Sequence, residues 1–193
     1  MLKVLGISGS LRKSSVNSAL LRSARQLAPD GVALTIFGGV GQLPLFNPDL
    51  EADLPEPVLA LHAAVAQADA LLFASPEYAH GVTGAIKNTL DWLVSFEPFA
   101  GKRVAVWNAA ARAHHADLAL RETLQTMDAV IVAPKHRVSL RCRGRCRSTR
   151  WWRTRRCRPR YAAACWPSCR RADGILLIHQ RKRECTCTNY FPN

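Results

Sequence analysis

The sequence predicts an α/β protein whose first 137 residues form a doubly wound, five-stranded parallel sheet. Two observations support this fold class. Short apolar runs have the character of buried strands, and the segments between them space their apolar residues as helices do. Strand–helix alternation of this kind favours a parallel sheet covered on both faces. A chain of 193 residues suits one domain with a sizeable core.

Five apolar runs are predicted to be the strands, with the helices between them. The strands are Leu2–Ser8, Val32–Phe37, Ala70–Ala74, Arg103–Trp107 and Ala129–Ala133. Ser14 or Ser15 can cap the first helix, whose apolar positions continue to Leu27. The later helices are Pro57–Ala68, Gly84–Ser95 and Ala116–Met127. Trp92, near the end of the third helix, is predicted to lie in the core.

The chain changes character near Val138. Residues 1–137 contain twelve Lys and Arg, twelve Asp and Glu, and no Cys. Residues 138–193 therefore hold 15 of the 27 basic residues, two of the 14 acidic residues and all seven cysteines. The formal charge of +13 comes from this tail, so it does not indicate a nucleic-acid function for the first 137 residues.

The start of the chain is not typical of a secretory signal, because its apolar run is short and a serine-rich loop follows at once. No segment approaches the roughly 20 apolar residues of a membrane span. We therefore expect a cytoplasmic protein without a membrane partner.

The loop after the first strand, GSLRKSSVN from Gly9 to Asn17, is rich in hydrogen-bond donors. Because it joins a strand directly to a helix, free backbone N–H groups and the positive helix end point at one spot. Serine hydroxyls, the Asn17 amide and the Arg12 guanidinium add donors. The loop matches neither a Walker motif nor GxGxxG. It predicts an anion site that suits a phosphate; the alternative is a helix start whose serines serve only as caps.

The loop after the third strand, SPEYAHGVTG from Ser75 to Gly84, would face the first loop where the strand order reverses. Its glycines, Gly81 and Gly84, let a flat ligand approach the backbone. Together the two loops resemble those of the NAD(P)H-dependent FMN reductase family, which includes quinone, chromate and azo-dye reductases with a flavodoxin-like fold. The matching segments are GSLRKSSVN and SPEYAHGVTGAIKNTLDW, and the resemblance covers roughly residues 1–135.

The resemblance implies an enzyme that passes a hydride from NAD(P)H through FMN to a quinone, flavin, chromate or azo acceptor. It also implies a homodimer or homotetramer. The FMN phosphate is assigned to Ser10, Arg12, Ser15 and Asn17, with Leu11 and Val16 in the same loop. The pyrimidine edge of the isoalloxazine is assigned to Pro76, Glu77, Tyr78 and Ala79, mostly through backbone groups. Ala110, in the loop after the fourth strand, is placed beside the ring.

We expect neither a catalytic side chain nor a metal site. Reduction of FMN places a hydride on N5 and negative charge near N1, which oriented backbone dipoles can stabilise. Since the open face must admit a nicotinamide and then an acceptor, this predicts ping-pong kinetics. His80 is interpreted as a solvated loop residue, and His114 and His115 as capping or exposed residues rather than metal ligands.

Two other functions stay open. A flavodoxin-like electron carrier would bind FMN without direct nicotinamide turnover. A nucleic-acid-binding protein would act through the basic tail, with Trp151 and Trp152 for base stacking. The tail cysteines also invite a zinc site, but their spacing contains no Cys-x-x-Cys pair.

The genetic code favours a further interpretation, in which the tail is translated out of frame. Reading it one base earlier turns Trp and Cys codons into Leu, Val or Met codons, and CGN arginine codons into Ala, Pro, Thr or Ser codons. Apolar residues then fall at helical spacing, at the positions of Cys157, Tyr161, Cys165 and either Ser168 or Cys169. We therefore expect a missing or corrupted last helix, an apolar surface beside the first helix, and a poorly ordered tail without a nucleic-acid partner.

Overall fold

The computed structural model describes residues 1–110 and 114–132, and it confirms the predicted α/β fold. The strands are β1 (Leu2–Ser8), β2 (Val32–Ile36), β3 (Ala70–Ala74), β4 (Glu77–Tyr78), β5 (Gly81–Val82), β6 (Arg103–Trp107) and β7 (Val130–Ile131). The helices are α1 (Val16–Gln26), α2 (Glu56–Gln67), α3 (Gly84–Asp91) and α4 (His115–Thr126), and three short 3₁₀ turns lie in the loops.

The main sheet has five parallel strands in the order β2-β1-β3-β6-β7. This is the flavodoxin-like order, in which the direction of winding reverses between β1 and β3. The two strands pair in register from Val4 opposite Ala70 to Ser8 opposite Ala74. Their carboxyl ends therefore lie side by side, and the loops that follow them begin at neighbouring points.

One face of the sheet carries the larger core. Side chains of β1, β3 and β6 on this face, such as Ile7, Phe73 and Val104, are completely buried. Apolar residues of α2, α3 and α4 cover them, including Leu61, Leu90 and Leu120. The alternation of side chains along each strand puts the neighbouring residues on the opposite face.

The opposite face has a smaller core, built on α1. Leu21 and Ala24 of α1 pack against Leu72 and Ala74 of β3, which are buried. Around them, flanking strand residues are only partly buried; these are Val4, Leu34, Ile36, Ala105 and Trp107. Among the described residues, α1 is the helix that supplies the core of this face.

Most predicted boundaries hold to within one residue, and α3 shows the largest difference. It ends at Asp91 rather than Ser95, because the next backbone N–H groups turn to carbonyls three residues back, as Leu93 does to Leu90. Trp92 is buried, as predicted, and donates its indole Nε1–H to the Pro44 carbonyl at 2.8 Å. Anchoring of this side chain coincides with the end of the helix.

Two sequence predictions reach beyond the described residues. The last strand, predicted as Ala129–Ala133, is seen as Val130–Ile131, and its final predicted residue lies outside the described part. The predicted second region, residues 138–193, lies entirely outside the described residues. The predictions of a poorly ordered tail and of a missing or corrupted last helix concern this region as well. Within the described part, no helix is long and apolar enough to cross a membrane.

Candidate functional site

The first loop is held at its end by Ser15, which caps α1. The Ser15 hydroxyl oxygen accepts a hydrogen bond from the Ser18 N–H at 3.2 Å, and the Ser15 N–H donates to the Arg12 carbonyl at 3.1 Å. Of the two candidate caps, Ser15 is therefore the one that caps α1, and Ser14 is exposed. The loop is a tight turn that delivers the chain into a helix of eleven residues.

The backbone of this loop offers unused donors. Within the described chain, the N–H groups from Leu11 to Ser14 donate to no other residue, and the side chains of these four residues are exposed. The positive end of α1 follows directly. Unpaired backbone donors beside a helix N-terminus form a site for a negatively charged group. Of the four predicted phosphate residues, Ser10 is partly exposed and Arg12 is exposed, whereas Ser15 and Asn17 are buried.

The first and second loops are locked together at Gly9. The Gly9 N–H donates to the Ala74 carbonyl at 2.9 Å, and the Thr83 hydroxyl donates to the Gly9 carbonyl at 2.8 Å. A Cβ at residue 9 would lie 2.6 Å from Ile86 Cγ1 and would also overlap the Ser75 side chain. Only glycine fits this contact without movement of its neighbours.

Thr83 is a residue of the site that the sequence prediction did not include. It is buried, and its hydroxyl oxygen also accepts from the Ile86 N–H at 3.3 Å, which caps α3. A threonine directly before a helical pattern is a recognisable capping signal. Its second hydrogen bond, to Gly9, joins residues that are 74 positions apart. The local sequence around Thr83 could not predict it.

The third loop is tied to the first through Asn17. The Asn17 Oδ1 accepts from the Ala109 N–H at 3.1 Å, and Asn17 is buried. Asn108, also buried, accepts from the Ala110 N–H at 2.8 Å and holds Ala110 in an exposed position. The side-chain oxygen Oδ1 of Asn17 therefore orients the third loop. Any contact of Asn17 with a phosphate is left to its side-chain NH2 group or its backbone N–H.

The second loop forms a hairpin that the sequence prediction treated as a loop. Its strands β4 and β5 pair antiparallel, Glu77 opposite Val82 and Tyr78 opposite Gly81. The two turn residues, Ala79 and His80, have φ of 48° and 61°. Both therefore lie in the left-handed region, which alanine seldom adopts and which histidine adopts more readily. Tyr78 and Ala79 are exposed, as residues that contact a ligand need to be.

The Glu77 carboxylate is engaged by the first turn of α4. Its Oε2 accepts from the Ala116 N–H at 2.9 Å. That hydrogen bond lowers the pKa of Glu77 below its ordinary value of 4.5; partial burial opposes the shift, and His115 and His80 add to the lowering. The carboxylate is ionised at neutral pH, and because it is engaged at α4, the hairpin does not present it to an anion in the first loop.

Three histidines lie beside this contact. The His80 ring stacks on His115 at a centroid distance of 4.3 Å, and the His114 ring lies 3.9 Å from that of His115. All three are exposed, in keeping with the sequence interpretation, but His80 has a defined ring partner that the sequence did not predict. In the described part of the chain, no group of three or more His, Cys, Asp or Glu side chains is arranged to hold a metal ion.

The residues present fit the two ends of FMN. The unpaired N–H groups of residues 11–14, the exposed Arg12 and the end of α1 suit its phosphate. The exposed backbone of the hairpin, with Gly81, suits the edge of a planar ring. The structure brings the first and second loops together directly at Gly9, and the first and third at Asn17. Leu11 lies at the rim, against Gly41.

Comparison with known proteins agrees with the fit to FMN. Residues 2–140 match the family model described as NADPH-dependent FMN reductase. An NAD(P)H-dependent FMN reductase of Pseudomonas aeruginosa is 41% identical over 133 residues, which cover 66% of this chain and 71% of the relative. A quinone reductase of Escherichia coli is 31% identical over 141 residues, which cover 68% of this chain and 73% of the relative.

A solved structure is similar over the same part of the chain. FerB, a flavoenzyme NAD(P)H:(acceptor) oxidoreductase from Paracoccus denitrificans, superposes with a TM-score of 0.66 at 31% identity. The match covers 71% of this chain and 78% of that protein. The family match ends close to the point where the composition changes.

We expect Gly9→Ala to lower the free energy of unfolding by about 1–3 kcal/mol, because the added methyl overlaps Ile86 and Ser75. Gly84→Ala is the matched control, since a Cβ there meets no atom within 4 Å and alanine favours the helix. Urea unfolding measures both variants. An unchanged midpoint for Gly9→Ala would contradict the close contact of the two loops.

Ala79→Asn should raise the free energy of unfolding by about 0.5–1 kcal/mol, because asparagine tolerates the left-handed backbone that alanine resists. The same substitution at exposed Ala63, inside α2, should lower it by up to about 0.7 kcal/mol. Thermal unfolding of the two variants tests the difference in sign. Destabilisation by both would mean that residue 79 is not strained.

Proposed function

The chain belongs to the NADPH-dependent FMN reductase family, and from this premise we propose that it transfers reducing equivalents from NAD(P)H through FMN to quinones. It is an oxidoreductase whose cofactor is FMN and whose co-substrate is NAD(P)H. The observation that carries the proposal is the row of unpaired backbone donors at residues 11–14, at the start of α1 and inside the matched segment.

The protein's part in this reaction is to hold and orient the cofactor. We assign the phosphate to the N–H groups of residues 11–14 and to Arg12, whose exposed guanidinium can pair with phosphate oxygens. We assign the ring to the backbone of residues 76–79, and we place Ala110, in the third loop, beside the ring. FMN, when bound, supplies the hydride chemistry, and peptide dipoles of the hairpin stabilise the negative charge that accompanies it.

Quinones are the acceptor class we propose, since the E. coli relative is a quinone reductase and the Pseudomonas relative is an FMN reductase. The exposed Tyr78 and Leu11 leave an open, partly apolar rim that suits a planar, uncharged substrate. Flavin, chromate and azo compounds are the further acceptors that the family resemblance suggests. A homodimer or homotetramer stays a prediction of the same resemblance.

Steady-state kinetics test the proposal. With NAD(P)H and a benzoquinone varied in turn, we expect parallel lines in double-reciprocal plots, because the two substrates use the same open face one after the other. Intersecting lines would contradict this order. An electron carrier, the rival function, would bind FMN but show no NAD(P)H oxidation under these conditions.

We further propose that residues 138–193 take no part in this function and are an out-of-frame continuation of the coding sequence. The family match stops at residue 140, and the smaller core beside α1 leaves Trp107 and Ala105 partly exposed among the described residues. That face is where a further helix would complete a doubly wound sheet.

A chain translated in the preceding frame from codon 138 tests this proposal against the nucleic-acid alternative. We expect it to keep the FMN affinity of the present chain and to show a larger urea m-value, because an added helix buries more surface. Loss of FMN binding, or an unchanged m-value, would contradict the proposal. Salt-sensitive DNA binding by the present chain that is lost when residues 138–193 are deleted would support the basic arm.

A further inference from the structure

The hairpin β4–β5 is fastened to the start of α4 at two points. At the beginning of β4, the Glu77 carboxylate accepts from the Ala116 N–H at 2.9 Å. In the turn, the His80 ring lies on the His115 ring at 4.3 Å with an angle of 21° between their planes. One contact therefore holds the base of the hairpin and the other holds its tip.

The helix needs the acceptor that Glu77 provides. Its N-cap residue, His114, makes no side-chain capping hydrogen bond. The acidic residue of the first turn, Asp117, is instead engaged with the Arg121 guanidinium at 3.0 Å. An N–H in the first turn of a helix has no partner within that helix, so an acceptor from elsewhere stabilises it. Glu77 is that acceptor, from 39 residues earlier in the chain.

The hairpin, for its part, cannot fix its own orientation. Each strand has two residues, and an isolated pair of strands is marginally stable at best. Ala79 in its turn also lies in the left-handed region, which alanine seldom adopts, and this weakens the local preference for the hairpin conformation. The direction in which its backbone points must therefore come from contacts with the rest of the fold, and α4 provides them.

We infer that Glu77 is a positioning residue for the ring of FMN: by capping α4 it sets the angle at which the hairpin backbone meets the ring. The inference rests on the proposed function, which places residues 76–79 along that ring. It assigns the Glu77 side chain no contact with the cofactor. Its influence is confined to the ring end of the site, whereas Arg12 acts at the phosphate end.

Comparison of FMN with riboflavin, which lacks the phosphate, separates the two ends. We expect Glu77→Ala to raise the Kd of both flavins by the same factor. The factor is about fivefold, because the free energy lost is that of one helix cap. Arg12→Ala should raise the Kd of FMN alone. Glu77→Gln, which keeps an acceptor oxygen, should recover most of the affinity. Glu122→Ala, an exposed position on α4, is the matched control and should change neither Kd.

A second variant separates orientation from helix stability. In the double variant Glu77→Ala and His114→Asp, the new aspartate caps α4 from its own N-cap position. We expect it to restore the thermal stability lost in Glu77→Ala but not the flavin affinity, because the hairpin is still unfastened. Hydrogen exchange at the Ala116 amide should rise in Glu77→Ala without any flavin present, which checks the contact itself.

Three results would overturn the inference. These are full recovery of flavin affinity in the double variant, an effect of Glu77→Ala on FMN but not on riboflavin, and unchanged exchange at Ala116. Failure of the unsubstituted protein to bind either flavin has a different meaning. It would overturn the proposed function, whereas the exchange result would still report on the contact between Glu77 and α4.

Discussion

The close approach of the β1 and β3 loops at Gly9 is the constraint on which the site depends. Because this residue has no side chain, the first loop can lie directly against Ser75 and Ile86. The Thr83 hydroxyl then bridges the Gly9 carbonyl and the first turn of α3. This contact holds the first loop close to the base of the hairpin. It thereby sets the separation between the place proposed for the phosphate and the place proposed for the ring.

The buried asparagines extend this constraint to the third loop. Asn17 lies in the first turn of α1, yet its side chain holds the Ala109 backbone, so the helix that follows the first loop also positions the third loop. Asn108 completes the connection through Ala110. Buried side-chain amides with paired oxygens are stabilising, whereas an unpaired one would cost free energy. The polar residues under the site therefore hold its geometry.

The two faces of the sheet differ in how completely the described helices cover them. The face under α2, α3 and α4 is fully packed, with Ile7 and Phe73 inaccessible. On the other face α1 covers β3, while flanking side chains such as Trp107 are half-buried. The site itself stands at the carboxyl ends of β1, β3 and β6, and its holding contacts involve α1, α3 and α4. The residues proposed to hold the flavin therefore all lie in the part of the chain that matches the family.

The sequence by itself determined the strands and most of the helix boundaries, because apolar periodicity and capping act over a few residues. It also predicts an anion site in the first loop, since the donors and the helix start are adjacent in the chain. It also determined the pairing of the first two loops, through segments typical of one family. Only the tertiary structure decided what Asn17, Thr83 and Glu77 do. Their partners lie 92, 74 and 39 residues away, so the contacts exist only once the sheet has placed these loops together. The same holds for the hairpin, since the alanine in its turn has no local preference for the left-handed backbone that it adopts.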